Sequence, residues 1–215
     1  MDLLAELTRR KILAIVRADS GPLAVECVRT LVEAGITAVE ISLTTPGALH
    51  AIAAVRAEAP PHVLIGAGTV LTVAHAELAA DAGASFTVTP GVTPGAHRTV
   101  GLGLPLLCGA LTPTEVAAAL ALGAAAVKIF PASAHGPGYL RDLLTPLPDA
   151  PLIAVGGIDA QAAPRYLDAG ARAVGVGSPL LGDAGRGGPL DALAGRAAGL
   201  LRAVGHAGAA GEAVR

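Results

Sequence analysis

The chain has two lysines, and one of them stands where a lysine is least expected. Lys128 lies within Ala126-Val127-Lys128-Ile129-Phe130-Pro131, an apolar run that reads as a buried strand. Lys11 follows Arg9 and Arg10 near the N-terminus, where a solvated position is unremarkable. An unpaired ammonium taken out of water is costly, so a site around Lys128 must pair it, neutralise it or use it. Desolvation favours the neutral, nucleophilic amine on which Schiff-base chemistry depends. The competing reading is a lysine that snorkels out at the strand end, or a structural ion pair, and from this stretch alone both stand.

A second ionisable residue falls in a similar setting. In Ala38-Val39-Glu40-Ile41-Ser42-Leu43 the side chains of a strand alternate, so Val39, Ile41 and Leu43 take one face while Glu40 and Ser42 take the other. The same alternation sets Lys128 against Val127 and Ile129. In a closed barrel both polar faces turn inward, and one lysine and one glutamate share the interior. A neutral lysine attacks a carbonyl, and a nearby carboxylate moves protons as the carbinolamine collapses and an enamine forms. That pairing suits a lyase or aldolase acting on a keto acid. A buried salt bridge between Lys128 and Glu40 is the structural alternative.

Two glycine pairs supply a further element of chemistry, Gly156-Gly157 after Val155 and Gly175-Val176-Gly177-Ser178. Glycine lets backbone N–H groups approach an anion, and barrels commonly bind phosphate with the loops after their last two strands. Either pair alone is equally consistent with a turn or close packing. Arg17, at the end of the first strand, is suited to a substrate carboxylate, although an idle exposed arginine would look the same. Thr69 ends the third strand.

These positions follow from a pattern that repeats about every 20 to 25 residues, a short β-branched run, a turn, then an alanine- and leucine-rich helix ending near glycine. After an N-terminal helix, strands are predicted at 12–17, 38–43, 64–70, 86–89, 106–110, within 126–131, at 152–157 and at 173–178. Helices are predicted at 22–34, 47–59, 73–82, 95–102, 112–122, 138–144, up to 168 and at 189–204, with a loose linker over 182–188 and a frayed tail from Gly205. Thr112-Pro113-Thr114-Glu115 is a helix start with a threonine cap, an early proline and a glutamate at the third position. Pro164 should shorten or kink the helix that follows strand seven. Eight nearly continuous apolar strands alternating with helices predict one α/β domain over residues 1–215, a closed (β/α)8 TIM barrel. An open doubly wound sheet is disfavoured because no Gly-x-Gly-x-x-Gly opens a helix after the first strand.

Composition removes other classes. The 215 residues are 53% hydrophobic and 15% charged, which provides a large core and leaves no case for disorder. With 2% aromatics and a formal charge of -2, the chain lacks both the stacking platforms and the basic track that nucleic-acid binding requires. The N-terminus does not read as a signal peptide, and no apolar run reaches the roughly 18 residues of a membrane span, so a soluble cytoplasmic protein is the expectation. Cys27 and Cys108 read as small buried hydrophobes. The histidines show no metal-ligand spacing; His135, in the loop after Pro131, is the one near the proposed active face.

Taken together the chain resembles the family of 2-keto-3-deoxy-6-phosphogluconate and 4-hydroxy-2-oxoglutarate aldolases, including its 6-phosphogalactonate branch. The resemblance runs from Ala14-Ile15-Val16-Arg17 to the eighth strand. It is carried by Val39-Glu40-Ile41-Ser42-Leu43, Gly66-Ala67-Gly68-Thr69-Val70, Thr89-Pro90-Gly91, Lys128-Ile129-Phe130-Pro131, Gly156-Gly157 and Gly177-Ser178. It implies a homotrimeric barrel and a class I mechanism with no metal or other cofactor. Lys128 would form the Schiff base and Glu40 would shuttle protons. Thr69 would bind the pyruvyl part and Arg17 its polar groups, while Gly157, Gly177 and Ser178 would hold phosphate, with Phe130 and Gly156 completing the substrate-binding set. The products would be pyruvate and glyceraldehyde 3-phosphate.

Three positions depart from the family pattern. Thr44 stands where many members carry an arginine four residues after the glutamate. Val155 replaces a threonine common in phosphogluconate-type members and, like Gly136-Pro137-x-Tyr139, resembles the galactonate branch. Cys108 replaces a common proline. The readings that compete with an aldolase are a phosphate-binding barrel isomerase or synthase without a Schiff base, and a catalytically silent barrel that senses a metabolite.

Overall fold

Strand alternation, carried through eight parallel strands, produces two apolar layers separated by the sheet. The computed structural model describes residues 1–207. Its elements are α1 (Leu3–Arg10), β1 (Ile12–Val16), α2 (Gly21–Glu33), β2 (Ala38–Ser42), α3 (Ala48–Glu58), β3 (Leu64–Gly68), α4 (Val73–Asp81), β4 (Phe86–Val88), α5 (Pro94–Gly101) and β5 (Leu106–Ala110). They continue with α6 (Pro113–Leu122), β6 (Ala126–Ile129), α7 (Gly136–Leu144), β7 (Leu152–Val155), α8 (Ala163–Asp168), β8 (Ala173–Val176), α9 (Ser178–Leu181) and α10 (Leu190–Ala207). Each strand pairs in parallel with its sequence neighbours, and Ile12, Leu13 and Ala14 of β1 pair with Val174, Gly175 and Val176 of β8, closing the barrel. Among the described residues no helix is long and apolar enough to cross a membrane.

The helices start where local chemistry says they should. Ser20, Thr72, Thr93 and Thr112 each accept a hydrogen bond from a backbone N–H in the first turn of the following helix. At Thr112 the capping box is complete, since Glu115 accepts in return from the Thr112 N–H. Gly123 ends α6 in the left-handed region at φ 96°, a conformation that any side chain would strain. Pro164 stands in the first turn of α8, which is reduced to six residues, as the sequence predicts.

Outward strand residues such as Val39, Ile41, Ile65, Val127 and Ile129 pack against the helices. Inward residues Leu13, Ala38, Leu64, Phe86, Leu107, Ala126, Ile153 and Ala173 fill the barrel, and Leu3 and Leu7 of α1 join this cluster at its N-terminal end. Gly66 faces inward as well, and a Cβ there would run into the ring of Phe86, which occupies the space that a side chain would take.

Several boundaries differ from the sequence reading. β1 stops at Val16, which leaves Arg17 just past the strand, and β6 stops at Ile129. β3 ends at Gly68 rather than Val70 because Thr69 turns into the left-handed region at φ 62°. The 182–188 stretch is not a loose linker. A 3-10 turn over Ala184–Arg186 buries Ala184 and Gly185, and the Gly185 carbonyl accepts from the Asp19 N–H at 2.9 Å, tying the turn to the loop after β1. At the C-terminus α10 continues to Ala207, and the rest of the expected frayed tail lies outside the described residues.

Candidate active site

The inward face changes character toward the C-terminal ends of the strands. On β2 it runs Ala38, Glu40, Ser42, and on β6 it runs Ala126, Lys128, so apolar filling gives way to polar groups at the barrel mouth. Glu40 is 2% exposed and Lys128 is half-buried. Burial pushes the Glu40 carboxyl above its ordinary value, and the positive charges of Lys128 and Arg17 partly oppose that rise. Glu40 Oε2 has no hydrogen-bond partner among the described residues.

A structural salt bridge does not explain the lysine. Among the described residues the ion pairs join Glu6 to Arg9 and Arg10, Arg29 to Glu58 and Arg98 to Glu77, and none involves Lys128 or Glu40. Lys128 Nζ instead lies 5.2 Å from the centroid of the half-exposed Phe130 ring. Gly109, in register with Lys128 on β5, packs so closely against the Pro90 carbonyl that a Cβ there would collide with it.

Arg17, Ser42, Thr44 and Thr69 come together at the ends of β1, β2 and β3. Arg17 Nε donates to Thr44 Oγ1 at 3.0 Å, Thr44 Oγ1 and Ser42 Oγ are 2.8 Å apart, and Ser42 Oγ lies 3.0 Å from Thr69 Oγ1. The exposed Arg17 is therefore held by the side chain that replaces the arginine common in the resembled family. The Ala18 N–H donates to Thr45 Oγ1 at 3.1 Å, a second tie between the loops after β1 and β2.

The two glycine pairs also meet, because β7 and β8 are neighbours with Val155 in register with Gly175. Gly156 and Gly157 have φ of 102° and 69°. A Cβ on Gly156 would stand 2.9 Å from the Phe130 ring, and one on Gly157 would stand 2.5 Å from Ser133 Oγ. Gly177 and Ser178 begin the short helix α9, whose last carbonyls, Leu180 and Leu181, each accept a hydrogen bond at 2.6 Å from the Arg196 guanidinium. Since all eight strands are parallel, this glycine cradle opens at the same end as Lys128 and Glu40.

Sequence reasoning missed Ser133. It lies in the 3-10 turn after β6, and its N–H donates to the Gly156 carbonyl at 3.2 Å; only its nearness to Lys128 in sequence could have drawn notice. His135 is exposed beside the Tyr139 ring, with 4.7 Å between centroids, and Tyr139 OH donates to the Leu111 carbonyl at 2.7 Å. Cys108 faces the helices rather than the mouth. Val155 faces inward and is 2% exposed. Among the described residues no group of three or more His, Cys, Asp or Glu is placed to share a metal ion.

The family model described as "Aldolase: KDPG and KHG aldolase" matches residues 3–186. A probable 2-dehydro-3-deoxy-6-phosphogalactonate aldolase of Rhizobium meliloti is 40% identical over 173 residues, covering 80% of this chain and 82% of that protein. A 2-dehydro-3-deoxy-phosphogluconate aldolase of Treponema pallidum is 39% identical over 155 residues, 71% of this chain and 73% of that protein. Among solved structures, the KDPG aldolase of Legionella pneumophila, with pyruvate captured as a covalent carbinolamine intermediate, superposes with a TM-score of 0.84 at 25% identity, over 92% of this chain and 97% of that one.

Proposed function

This chain belongs to the KDPG and KHG aldolase family, and from that premise we propose that it cleaves 2-keto-3-deoxy-6-phosphogluconate or its galactonate epimer through a Schiff base on Lys128. The observation that carries the reading is the inward lysine: it shares the barrel mouth with the buried Glu40 and belongs to no ion pair among the described residues. In this mechanism the Lys128 amine adds to the C2 carbonyl, and loss of water gives an iminium that acts as an electron sink. Glu40 takes the proton of the C4 hydroxyl as the C3–C4 bond breaks. The bonding pair passes into an enamine, and the departing fragment leaves as glyceraldehyde 3-phosphate. Protonation of the enamine at C3 and hydrolysis return pyruvate and the free amine. Burial that raises the affinity of Glu40 for a proton suits a group that must take one and give it back.

Around this centre Thr69 and Arg17 hold the pyruvyl carboxylate and carbonyl. Gly156, Gly157, Gly177 and Ser178 receive the phosphate, and Phe130 walls the channel between them. Val155 and the Gly136-Pro137-Gly138-Tyr139 segment favour the galactonate epimer; 4-hydroxy-2-oxoglutarate, which lacks the phosphate, is a further candidate substrate. The assembly is a homotrimer, for which exposed Leu71, Val73, Leu78 and Val92 supply apolar surface; sedimentation velocity tests it.

Borohydride reduction in the presence of pyruvate should leave a covalent adduct on Lys128, detectable by mass spectrometry, and Lys128→Ala should abolish both adduct and turnover. A protein that formed no adduct yet isomerised or condensed phosphorylated sugars would be an isomerase or synthase instead. Parallel cleavage assays with the two C4-epimeric acids decide the stereochemical preference.

A further inference from the structure

We propose that Ser42 and Thr44 are positioning residues that, fed from Arg17, fix the Thr69 hydroxyl as a hydrogen-bond donor to the keto-acid end of the substrate. The inference rests on the reading of Thr69 as a pyruvyl contact and adds the direction in which its proton points.

The direction is set from the guanidinium end of the chain. A guanidinium donates and has no acceptor, so in the 3.0 Å contact between Arg17 Nε and Thr44 Oγ1 the threonine oxygen must accept. With Thr44 Oγ1 accepting from the guanidinium, the arrangement that the Arg17 charge favours points the Thr44 proton to Ser42 Oγ, 2.8 Å away. Ser42 Oγ also receives the Thr44 backbone N–H at 3.4 Å. Both lone pairs of Ser42 are thereby used, and the side chain is fully buried, so its single proton goes to Thr69 Oγ1 at 3.0 Å. Thr69 accepts that bond and keeps its own proton to donate.

The backbone at Thr69 supports a held rather than a relaxed position. Its φ of 62° is left-handed, an uncommon state for a β-branched residue that persists when the surroundings over-determine it. The chain Arg17–Thr44–Ser42–Thr69 spans the ends of β1, β2 and β3, so it supplies that constraint across three strands. It also gives Thr44 a task in place of the arginine common at this position. Arg17 keeps its remaining N–H groups for the substrate, while its charge polarises the hydroxyls in one direction.

The test measures the pyruvate concentration that half-saturates exchange of the pyruvate methyl hydrogens with D2O, followed by NMR, alongside the melting temperature. Ser42→Ala and Thr44→Val should each raise that concentration about tenfold, while Ser42→Thr and Thr44→Ser, which keep the hydroxyl, should stay within about twofold. If Thr69→Val weakens pyruvate but Ser42→Ala and Thr44→Val leave the half-saturation unchanged, whatever happens to melting temperature, the relay is overturned and the Thr69 reading survives. If Thr69→Val itself leaves half-saturation unchanged, the Thr69 reading fails and takes the relay with it. Should Ser42→Ala not fold, Thr44→Val decides alone, because Thr44 is exposed.

Discussion

Gly68 and Glu40 face each other across β3 and β2 so closely that a Cβ on Gly68 would stand 2.5 Å from Glu40 Oε1 and 2.9 Å from its Cδ. The carboxyl therefore occupies space that exists because residue 68 has no side chain. Gly68→Ala should displace the carboxylate and lower kcat by about 10²-fold, the scale of an ångström-sized misplacement of a reacting group. Borohydride trapping of pyruvate should persist, since Lys128 lies on the opposite strand β6. Glu40→Asp withdraws the carboxyl by one methylene, so the double variant should lose less than the product of the two single losses. A coupled assay of aldehyde release reads all three, and strictly multiplicative losses would show that the two residues act independently.

Glu40→Gln tests proton transfer and stability together. Turnover should fall by about 10² to 10⁴-fold, and normal turnover would remove Glu40 from the mechanism. Because burial raises the carboxyl's proton affinity in the folded protein, the folded state binds more protons than the unfolded chain above the ordinary value. That contribution to stability is complete below the ordinary carboxylate value and is lost as pH rises through the native one. Relative to the parent, Glu40→Gln should therefore gain melting temperature at pH 8 compared with pH 4. A difference independent of pH would mean that Glu40 is not destabilised as a carboxylate.

Gly177, with φ -105°, probes the proposed phosphate cradle without the positive φ of Gly156 and Gly157. A Cβ at Gly177 would meet Ile15 at ordinary contact distances of 3.7 to 3.9 Å. Gly177→Val should raise KM for the phosphorylated substrate by about tenfold or more while leaving exchange of the pyruvate methyl hydrogens nearly unchanged, as loss of charge-assisted backbone bonds to phosphate would do. Equal losses in both assays would place Gly177 outside phosphate binding.

Phe86 fills the barrel over Gly66, and Gly66→Ala should cost about 1–3 kcal/mol by overpacking, read as a lower urea midpoint. Phe86→Leu in the same background should recover part of the loss. A Gly66→Ala variant as stable as the parent would mean that the Phe86 ring can move aside freely.

The inward placement of Glu40 and Lys128 could be read from the chain because alternation along a strand is local. Val39 and Ile41 define the inward face of Glu40, and Val127 and Ile129 define that of Lys128, with no knowledge of any other strand. The caps at Thr72, Thr93 and Thr112 are equally local. What spans strands was not legible. The reach from Arg17 to Thr44, the clearance between Gly68 and Glu40, the packing of Ser133 on Gly157 and the docking of Gly185 beside the loop after β1 all join residues distant in sequence. They depend on the register set when β1 pairs with β8, and a closed ring of eight strands fixes every neighbour's height at once. Pattern in the chain determined that this is a barrel with a lysine and a glutamate inside. Closure alone decided that the lysine has no ion pair among the described residues and that a chain of hydroxyls runs from Arg17 to Thr69, since both are distances between strands.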